Sequence, residues 1–461
     1  MRLLTNRAID RSFVLCLALL SANAAVGQIR GQPTRPINPT PICPPQTGAG
    51  TVHSNSIYGT SVENWVAANG PHQVTADLSI TGVLTIDQCT VVRIAAGKSI
   101  TVSSGGTLLV LGGRLGSVWI TRQVNGNAWG SIRNWGGTLS LSYATLSDGG
   151  ATTNTNLAGT ATLEMKSASG SGSFHVDNVG IGDSASQGVL VTGKVGFDST
   201  SANLNIRNSA YYPVQVQAHL IGSIPTGNYS ENKLAAIAIP VVGGGGTVMT
   251  NSQTMHNRGV PYHVGNSSQN VGRLDVQSPT PGTVAVLTIE PGVVVQFAPG
   301  GSLKIDPTGG SNSAAARGAL VALGTQKEPI IFTSDKGSAA AAGDWVGITF
   351  GGTINPQTAM QLVRVEYAGG TEIGGNSCPV AGRGQGENYA AIRIYGPPLS
   401  QSPFVTDSVI FASARDGIDR GWNANVMPDF KAVNSFSAVP GCLQSTPRNP
   451  QALCPTTLTC P

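Results

Sequence analysis

The sequence predicts an all-β chain wound as a parallel solenoid, and three observations indicate this fold class. Glycine and proline are frequent, with 60 Gly and 28 Pro in 461 residues, and only 11% of the residues are charged. This composition disfavours helices, which need Ala, Leu, Glu, Lys and Arg and are weakened by interior Gly and Pro. Runs of four or five strand-forming residues recur about every eight positions. The third observation is an internal repeat, which is typical of solenoids.

The first 27 residues have the three parts of an export signal. Arginines precede the apolar stretch from Phe13 to Leu20, and small residues follow at positions 22–24 and 25–27. We expect residues 1–27 to be removed as a signal peptide; the alternative is a buried N-terminal helix. Removal leaves a formal charge of +2, which is too small to indicate a nucleic acid or an anionic membrane surface as partner. No later segment has the 18 apolar residues that a transmembrane helix requires.

The cysteines indicate disulfide bonds, because an even number in an exported chain is typical of oxidised pairs. Six cysteines allow 15 pairings, and the sequence does not choose among them. A bridge between Cys378 and Cys442 would staple the C-terminal windings. Zinc is disfavoured because the chain lacks C-x-x-C pairs with histidine partners. The six are Cys43, Cys89, Cys378, Cys442, Cys454 and Cys460.

Composition divides the chain into five segments. Residues 28–50 carry six prolines among polar residues, which favours an extended spacer. Strand-like alternation begins near Thr51. The expected order is a signal peptide (1–27), a Pro-rich spacer (28–50), a first β-helix segment (51–230), a second β-helix segment (231–430) and a Cys/Pro-rich tail (431–461).

The repeat aligns residues 84–102, LTIDQCTVVRIAAGKSITV, with residues 287–305, LTIEPGVVVQFAPGGSLKI, with eight identities in 19 positions. The match continues beyond these stretches after a nine-residue insertion in the second copy. Trp129 and Trp345 occupy matching positions. We expect both to pack in the core, because a ligand needs to be held by only one copy.

Short strands at this spacing suit a sandwich or a solenoid. Hairpin turns would favour a sandwich, whereas copies that differ by loop insertions favour a solenoid. The insertion therefore favours a solenoid, with about 22 to 24 residues in each winding of three strands. The sequence leaves open whether residues 151–260 continue the same winding.

Several segments resemble exported bacterial proteins of the right-handed parallel β-helix class, which share the pectin-lyase-like superfold. These segments are LTIEPGVVVQFAPGGSLKI, GALVALGTQKEPIIFTSDK, GDWVGITF and VEYAGG. The resemblance implies the handedness of the winding. It is specific for fold and not for activity, since this superfold hosts lyases, hydrolases, adhesins and passive surface rods.

The densest polar constellation is RDGIDRGW at residues 415–422. In an enzymatic interpretation Asp416 and Asp419 are the catalytic carboxylates, Arg415 and Arg420 flank them, and Trp422 stacks on a sugar ring. In a structural interpretation this segment is a corner where Asp binds turn amides and Arg pairs with Asp. We favour the structural interpretation.

Other motifs indicate structure rather than chemistry. Gly97-Lys98-Ser99 lacks the first glycine and the helix of a phosphate loop, which favours a strand corner. His256 and His263 lack a close third ligand, so no metal site is expected. No cofactor is expected, and calcium enters only under the lyase alternative.

These observations lead to two hypotheses of function. The first is an exported, non-catalytic protein of the cell surface or envelope, whose polar face contacts carbohydrate or, weakly, protein. The second is a polysaccharide lyase or glycoside hydrolase that acts near Arg415–Trp422. Scattered carboxylates favour the first, because glycosidases need two carboxylates close together.

Overall fold

The computed structural model describes residues 43–151, 160–241, 246–266, 272–307, 316–370, 390–396, 398–420, 426–445 and 460. The expected signal peptide, Cys378, Trp422 and Cys454 lie outside the described residues.

The described residues form strands with four short 3₁₀ helices at Ala67–Asn69, Ala218–Ser223, Gly337–Ala339 and Lys431–Val433. The strands are β1 (Thr51–His53), β2 (Val62–Trp65), β3 (His72–Val74), β4 (Leu78–Ile80), β5 (Val83–Asp87), β6 (Val91–Ile94), β7 (Ile100–Ser103), β8 (Thr107–Leu111), β9 (Val118–Arg122), β10 (Ile132–Trp135), β11 (Thr138–Ser147), β12 (Ala161–Ser167), β13 (Ser173–Gly182), β14 (Gln187–Gly193), β15 (Ala202–Arg207), β16 (Val214–Val216), β17 (Gly227–Asn228), β18 (Ile237–Ile239), β19 (Thr247–Met249), β20 (Gln253–Met255), β21 (Tyr262–Val264), β22 (Arg273–Val276), β23 (Ala285–Ile289), β24 (Val294–Phe297), β25 (Ser302–Ile305), β26 (Gly318–Leu323), β27 (Ile330–Ser334), β28 (Gly347–Phe350), β29 (Ala359–Gln361), β30 (Val363–Glu366), β31 (Ala390–Ile394), β32 (Val405–Thr406), β33 (Val409–Phe411), β34 (Asp416–Arg420) and β35 (Ser435–Ser437).

The strands pair in parallel and form four sheets. The long sheet has 13 strands, in the order β4-β7-β10-β12-β14-β16-β18-β21-β24-β27-β30-β33-β35. The N-terminal sheet has 11 strands between β1 and β17, and two C-terminal sheets have six strands (β19-β22-β25-β28-β31-β34) and five strands (β20-β23-β26-β29-β32). An all-β chain with parallel strand pairing is therefore confirmed.

The long sheet answers the question that the sequence left open about residues 151–260. This region contributes β12, β14, β16 and β18 to the long sheet, between β10 of the first copy and β21. The same sheet continues past residue 430, since β35 pairs with β33. The expected tail (431–461) thus contributes a strand to the sheet.

The two copies of the repeat have matching strand registers. In the first copy Leu84 lies opposite Leu108, and in the second copy the aligned Leu287 lies opposite Leu320. The next strands also correspond, with β6 on β9 in the first copy and β24 on β27 in the second. The sequence repeat is therefore a repeat of structure.

The second copy is nevertheless displaced by one sheet. β7 and β10 belong to the long sheet, whereas the equivalent β25 and β28 belong to the six-stranded sheet. The ten-residue strand β11 pairs with both β8 and β9 and thereby joins two strand columns into one. Equivalent strands of the two copies therefore belong to different sheets.

The core consists of inward side chains stacked from strand to strand. Removing one such side chain typically costs about 2–5 kcal/mol, because the surrounding atoms only partly fill the cavity. The inward column of the long sheet, each member at most 1% exposed, is Ile100, Ile132, Leu163, Val189, Val214, Ile237, Tyr262, Val295, Phe332, Val365 and Ile410.

The repeated tryptophans belong to this core. Trp129 and Trp345 are 0% exposed, and each indole Nε1 donates to a main-chain carbonyl at 2.7 Å, of Ser147 and Glu366 respectively. The prediction that both pack in the core is confirmed.

Single residues in the left-handed region turn the chain at the corners. Tyr143, Asn178 and Asn203 occupy one position on three successive strands of the N-terminal sheet, with φ of 45°, 52° and 56°. Asn tolerates this conformation better than Tyr does. Gly97, with φ of 69°, turns the chain between β6 and β7, which confirms the strand-corner interpretation of its motif.

Residues 43–50 of the expected spacer pack against the N-terminal windings. Cys43 forms a disulfide with Cys89. The side-chain amide of Gln46 donates to the Cys89 carbonyl, and its oxygen accepts from the Val91 amide at 3.1 Å. This part of the spacer is therefore fixed to the fold.

An aromatic stack closes the N-terminal end. The rings of His53 and Trp65 are 4.0 Å apart, and those of Trp65 and His72 are 5.2 Å apart. His72 Nε2 must donate to the Val66 carbonyl at 3.0 Å, because a carbonyl only accepts. In the neutral stack, His72 Nδ1 therefore accepts from His53 Nε2 at 2.9 Å.

Both histidines resist protonation. Burial lowers the pKa of His53 below its ordinary value of 6.5, the charge of His72 lowers it further, and Glu63 opposes the shift. Burial also lowers the pKa of His72, although the hydrogen bond to the Val66 carbonyl and the charge of Glu63 both act to raise it.

We predict that acid destabilises the N-terminal end. Below about pH 6.5 the unfolded histidines bind protons while the folded ones do not, so the free energy of unfolding falls and levels off below the folded pKa values. Above about pH 6.5 both states are neutral and the effect disappears. Thermal unfolding measured between about pH 7.5 and 5 should show this dependence, and His72→Gln should flatten it. An unchanged pH dependence in the variant would contradict the assignment.

We predict that Cys43→Ser loosens residues 43–50 and β1. The bond closes a loop with a sequence separation of 46, and losing a native disulfide typically costs about 2–5 kcal/mol. Hydrogen exchange should accelerate at β1 and β3. In the matched control Cys460→Ser, which removes the Cys442–Cys460 bond, these strands should keep their protection; equal loss in both variants would refute a local effect.

Candidate functional site

Of the predicted constellation at residues 415–422, the structure describes residues 415–420, which lie at the C-terminal end of the six-stranded sheet. Its residues 416–420 form β34, which pairs with β31 on one side. On the other side Gly417 and Ile418 donate main-chain hydrogen bonds to Cys442 and Leu443, at 2.8 and 3.0 Å. Residues 442–445 thus cover β34 as a final winding.

The two carboxylates are buried beneath this cover. Asp416 and Asp419 are each 2% exposed. Asp416 Oδ1 accepts from the Cys442 amide at 2.8 Å, and Asp419 Oδ1 accepts from the Ser445 hydroxyl at 2.8 Å. Both carboxylates bind residues 442–445. The structural interpretation placed this segment at a corner, which is wrong because residues 416–420 form a strand; of its expected contacts, the Asp416 bond to a main-chain amide is present, and Arg420 donates to carbonyls.

The two arginines have different surroundings. Arg420 is 5% exposed, and its Nε donates to the Ser445 carbonyl at 2.6 Å and its Nη1 to the Pro428 carbonyl at 3.3 Å. Burial lowers the pKa of Arg420, against the opposing charge of Asp429. Arg415 is exposed at the surface. Enzymatic use of Asp416 and Asp419 would require residues 442–445 to move away first.

The structure contains disulfide bonds, as the cysteines predict, but the bond of Cys442 has a different partner from the one considered above. Cys442 pairs with Cys460, so it does not pair with Cys378. Cys442, whose amide donates to Asp416, is therefore also held by a covalent bond to Cys460.

The two singled-out histidines bind carboxylates of their own chain. His256 Nδ1 lies 2.7 Å from Glu290 Oε1. His263 Nε2 lies 3.1 Å from Asp335 Oδ2, and its Nδ1 lies 3.2 Å from the Tyr212 hydroxyl. Across the part of the chain that the structure describes, no group of three or more His, Cys, Asp or Glu could hold a metal ion.

Sequence reasoning missed a cleft of about 410 Å³ beside the 3₁₀ helix Ala218–Ser223. The helix follows β16 and faces β20 and its parallel neighbour β23. Gln253 ties the two sides together, since its Oε1 accepts from the Gly222 amide at 2.8 Å. The polar lining includes His219, Ser223, Asn251, Thr254, His256 and Thr288.

The floor of the cleft is a pair of threonines on adjacent strands. Thr254 on β20 lies opposite Thr288 on β23, and both side chains line the cleft. Neighbouring strands are about 4.8 Å apart, so the two hydroxyls present a short polar ladder. No single-strand pattern reveals it, because the two residues are 34 positions apart in sequence.

Each histidine of the cleft keeps one ring nitrogen for a ligand. His219 Nε2 donates to the Gly193 carbonyl at 2.7 Å, which leaves Nδ1 as the acceptor of the neutral ring. His256 uses Nδ1 on Glu290. Partial burial alone would raise the pKa of Glu290, but hydrogen bonds from His256 and the Asn257 amide lower it below the ordinary value. The cleft therefore offers hydroxyls and imidazole acceptors beside an ionised carboxylate.

Comparison with known proteins gives no relative. No protein-family model, curated protein or solved structure matches this chain. Among the helices that the structure describes, none is long and apolar enough to cross a membrane.

We predict that Asp416→Ala and Asp419→Ala loosen the C-terminal winding. Each removes the acceptor of a buried hydrogen bond, and leaving a buried donor unsatisfied costs about 1–3 kcal/mol. Hydrogen exchange should accelerate at residues 416–420 and 442–445. Asp407→Ala, at an exposed-side contact with Gln361, is the matched control and should leave these amides protected. Unchanged protection in both Asp416 and Asp419 variants would refute the structural role.

Proposed function

We propose that the protein is an exported, non-catalytic right-handed parallel β-helix of the pectin-lyase-like superfold that contacts carbohydrate at the cell surface or in the envelope. Parallel sheets with matching registers in two copies support the β-helix. The resemblance noted above supports its handedness, and the disulfides suit an oxidising compartment outside the cytosol.

The polar cleft is the observation that carries the carbohydrate contact. Sugars present many hydroxyl groups, and each can donate to an imidazole or a hydroxyl and accept from a hydroxyl. Thr254 and Thr288 supply these groups from sheet strands, and Asn251 and the two histidines supply them from the segments beside the strands. The strand positions of the two threonines reduce the ordering cost of binding.

The burial of Asp416 and Asp419 supports the non-catalytic form of the proposal. Glycosidases need two carboxylates that reach the substrate, whereas these two bind residues 442 and 445 of their own chain. The lyase or hydrolase alternative near Arg415–Trp422 would need turnover that depends on these carboxylates.

A glycan array with the purified protein tests the proposal. We expect binding to at least one oligosaccharide family. The double variant Thr254→Val and Thr288→Val keeps the β-branched shape and removes both hydroxyls, so it should weaken that binding by about tenfold, from roughly 0.5–1.5 kcal/mol per hydrogen bond. Thr145→Val, on a half-buried strand position outside the cleft, should bind normally.

Two results would overturn the proposal. One is an array without any bound glycan. The other is release of reducing ends or unsaturated uronates from a polysaccharide panel that disappears in Asp416→Asn and Asp419→Asn, which would favour the enzymatic alternative.

A further inference from the structure

One tryptophan stands apart from the core. Trp135 ends β10 with 52% of its surface exposed. In the residues described here its ring has no ring contact and its indole nitrogen has no hydrogen bond. An exposed aromatic ring of this kind can bury its face against an apolar surface of another molecule.

The turn after Trp135 is held rigidly by a buried asparagine. Asn134 is 0% exposed, and its Oδ1 accepts from the amides of Gly136 and Gly137 at 3.1 and 2.8 Å. Its Nδ2 donates to the Ser173 carbonyl of the next winding at 2.8 Å. The indole is therefore presented from a fixed backbone, which reduces the entropy lost on binding.

Two cations lie on the outward side of the strands near Trp135. Arg133 is two positions before Trp135 on β10, and Lys166 follows Met165, which lies opposite Asn134 on β12. The buried Glu164 fixes both, with Oε2 at 3.2 Å from Arg133 Nε and 2.9 Å from Lys166 Nζ. Glu164 also accepts from the Ser131 hydroxyl at 3.0 Å, so the carboxylate is itself held in position.

Serines lie near Trp135 on both neighbouring strands' sides. Ser103 lies opposite Trp135 on β7. Ser169 and Ser171 follow β12, and their exposed hydroxyls lie 2.6 Å apart; a side chain at Gly136, the residue after Trp135, would approach Ser171 Oγ to 3.0 Å. Hydrogen-bonding groups therefore lie on the segments next to Trp135.

Trp135 has no counterpart in the second copy. The alignment that pairs Trp129 with Trp345 places Gly351 at the equivalent position. The core tryptophans, Trp129 and Trp345, occur in both copies, whereas Trp135 occurs in the first copy only. The difference is expected of a residue that serves a ligand, because a ligand needs one site whereas the core needs every winding.

We propose that Trp135 is the stacking platform of a second saccharide site, on the long sheet and separate from the cleft. The apolar C–H face of a pyranose ring packs on the indole, and its hydroxyls bind Ser103, Ser171, Arg133 and Lys166. A protein interface would need a larger apolar patch with several anchors, whereas the neighbours of Trp135 are polar. The proposal rests on the proposed carbohydrate function and assigns it a further site.

Variants of Trp135 on the same glycan array, with affinities measured by titration, test the site. Trp135→Ala should lower affinity about tenfold or more, and Trp135→Tyr should restore most of it because an aromatic face remains. Leu111→Ala, which removes an exposed hydrophobic side chain from the N-terminal sheet, is the matched control and should bind normally. Bound glycan should also shift tryptophan fluorescence, and that shift should disappear in Trp135→Ala.

The outcomes separate this site from the proposed function. Because the cleft still binds glycan in Trp135→Ala, titration of the unaltered protein should show two binding events; loss of one of them in Trp135→Ala, with both kept in Leu111→Ala, supports the site. A single binding event that is kept in Trp135→Ala and lost in the Thr254/Thr288 double variant overturns the site and leaves the proposed function standing. No glycan binding by the unaltered protein overturns both. If Trp135→Ala leaves glycan binding unchanged and alters only self-association or the binding of another protein, the saccharide site is overturned in favour of a protein contact.

Discussion

The structure depends on the stacking of inward side chains between parallel strands. Each strand donates and accepts main-chain hydrogen bonds with its neighbours, and each inward residue packs on residues of the windings before and after it. Stability in such an array is approximately a sum of contacts between neighbours. A winding is therefore only as stable as the two beside it, and the first and last windings need other support.

The two ends solve this problem by different chemistry. At the N-terminal end, the stacked rings of His53, Trp65 and His72 fill the last inward space, and the Cys43–Cys89 bond fixes the incoming chain. At the C-terminal end, Asp416 and Asp419 bind the winding that covers them. Carboxylates there stabilise the fold, and this explains why Asp416 and Asp419 are buried in the densest polar segment of the sequence.

The fold was predictable because strand periodicity and an internal repeat are written along the chain. The alternation around Leu84 and Leu287 predicts both the strands and their burial. The corners were less predictable, since Tyr143 adopts a left-handed conformation that glycine or asparagine would signal more clearly. The displacement of the second copy by one sheet was not predictable, because the aligned residues predict equivalent strands and do not specify which sheet each strand joins.

The candidate site was less predictable than the fold. Thr254 and Thr288 are ordinary strand residues until the register places one beside the other. Trp135 is one of six tryptophans; the alignment shows that it lacks a counterpart in the second copy, but its exposure became known only from the structure. Residues 415–422 stand out because they contain four charged residues within eight positions. A cluster of charged residues in the sequence does not distinguish a catalytic centre from buried groups that stabilise the fold, because both concentrate polar side chains.

The contacts beneath residues 442–445 make β34 depend on residues that come later in the chain. Without those residues Asp416 and Asp419 would lose the amide and the hydroxyl from which they accept, and β34 would pair with β31 alone. During synthesis, β34 therefore gains its full set of neighbours only after residues 442–445 have left the ribosome.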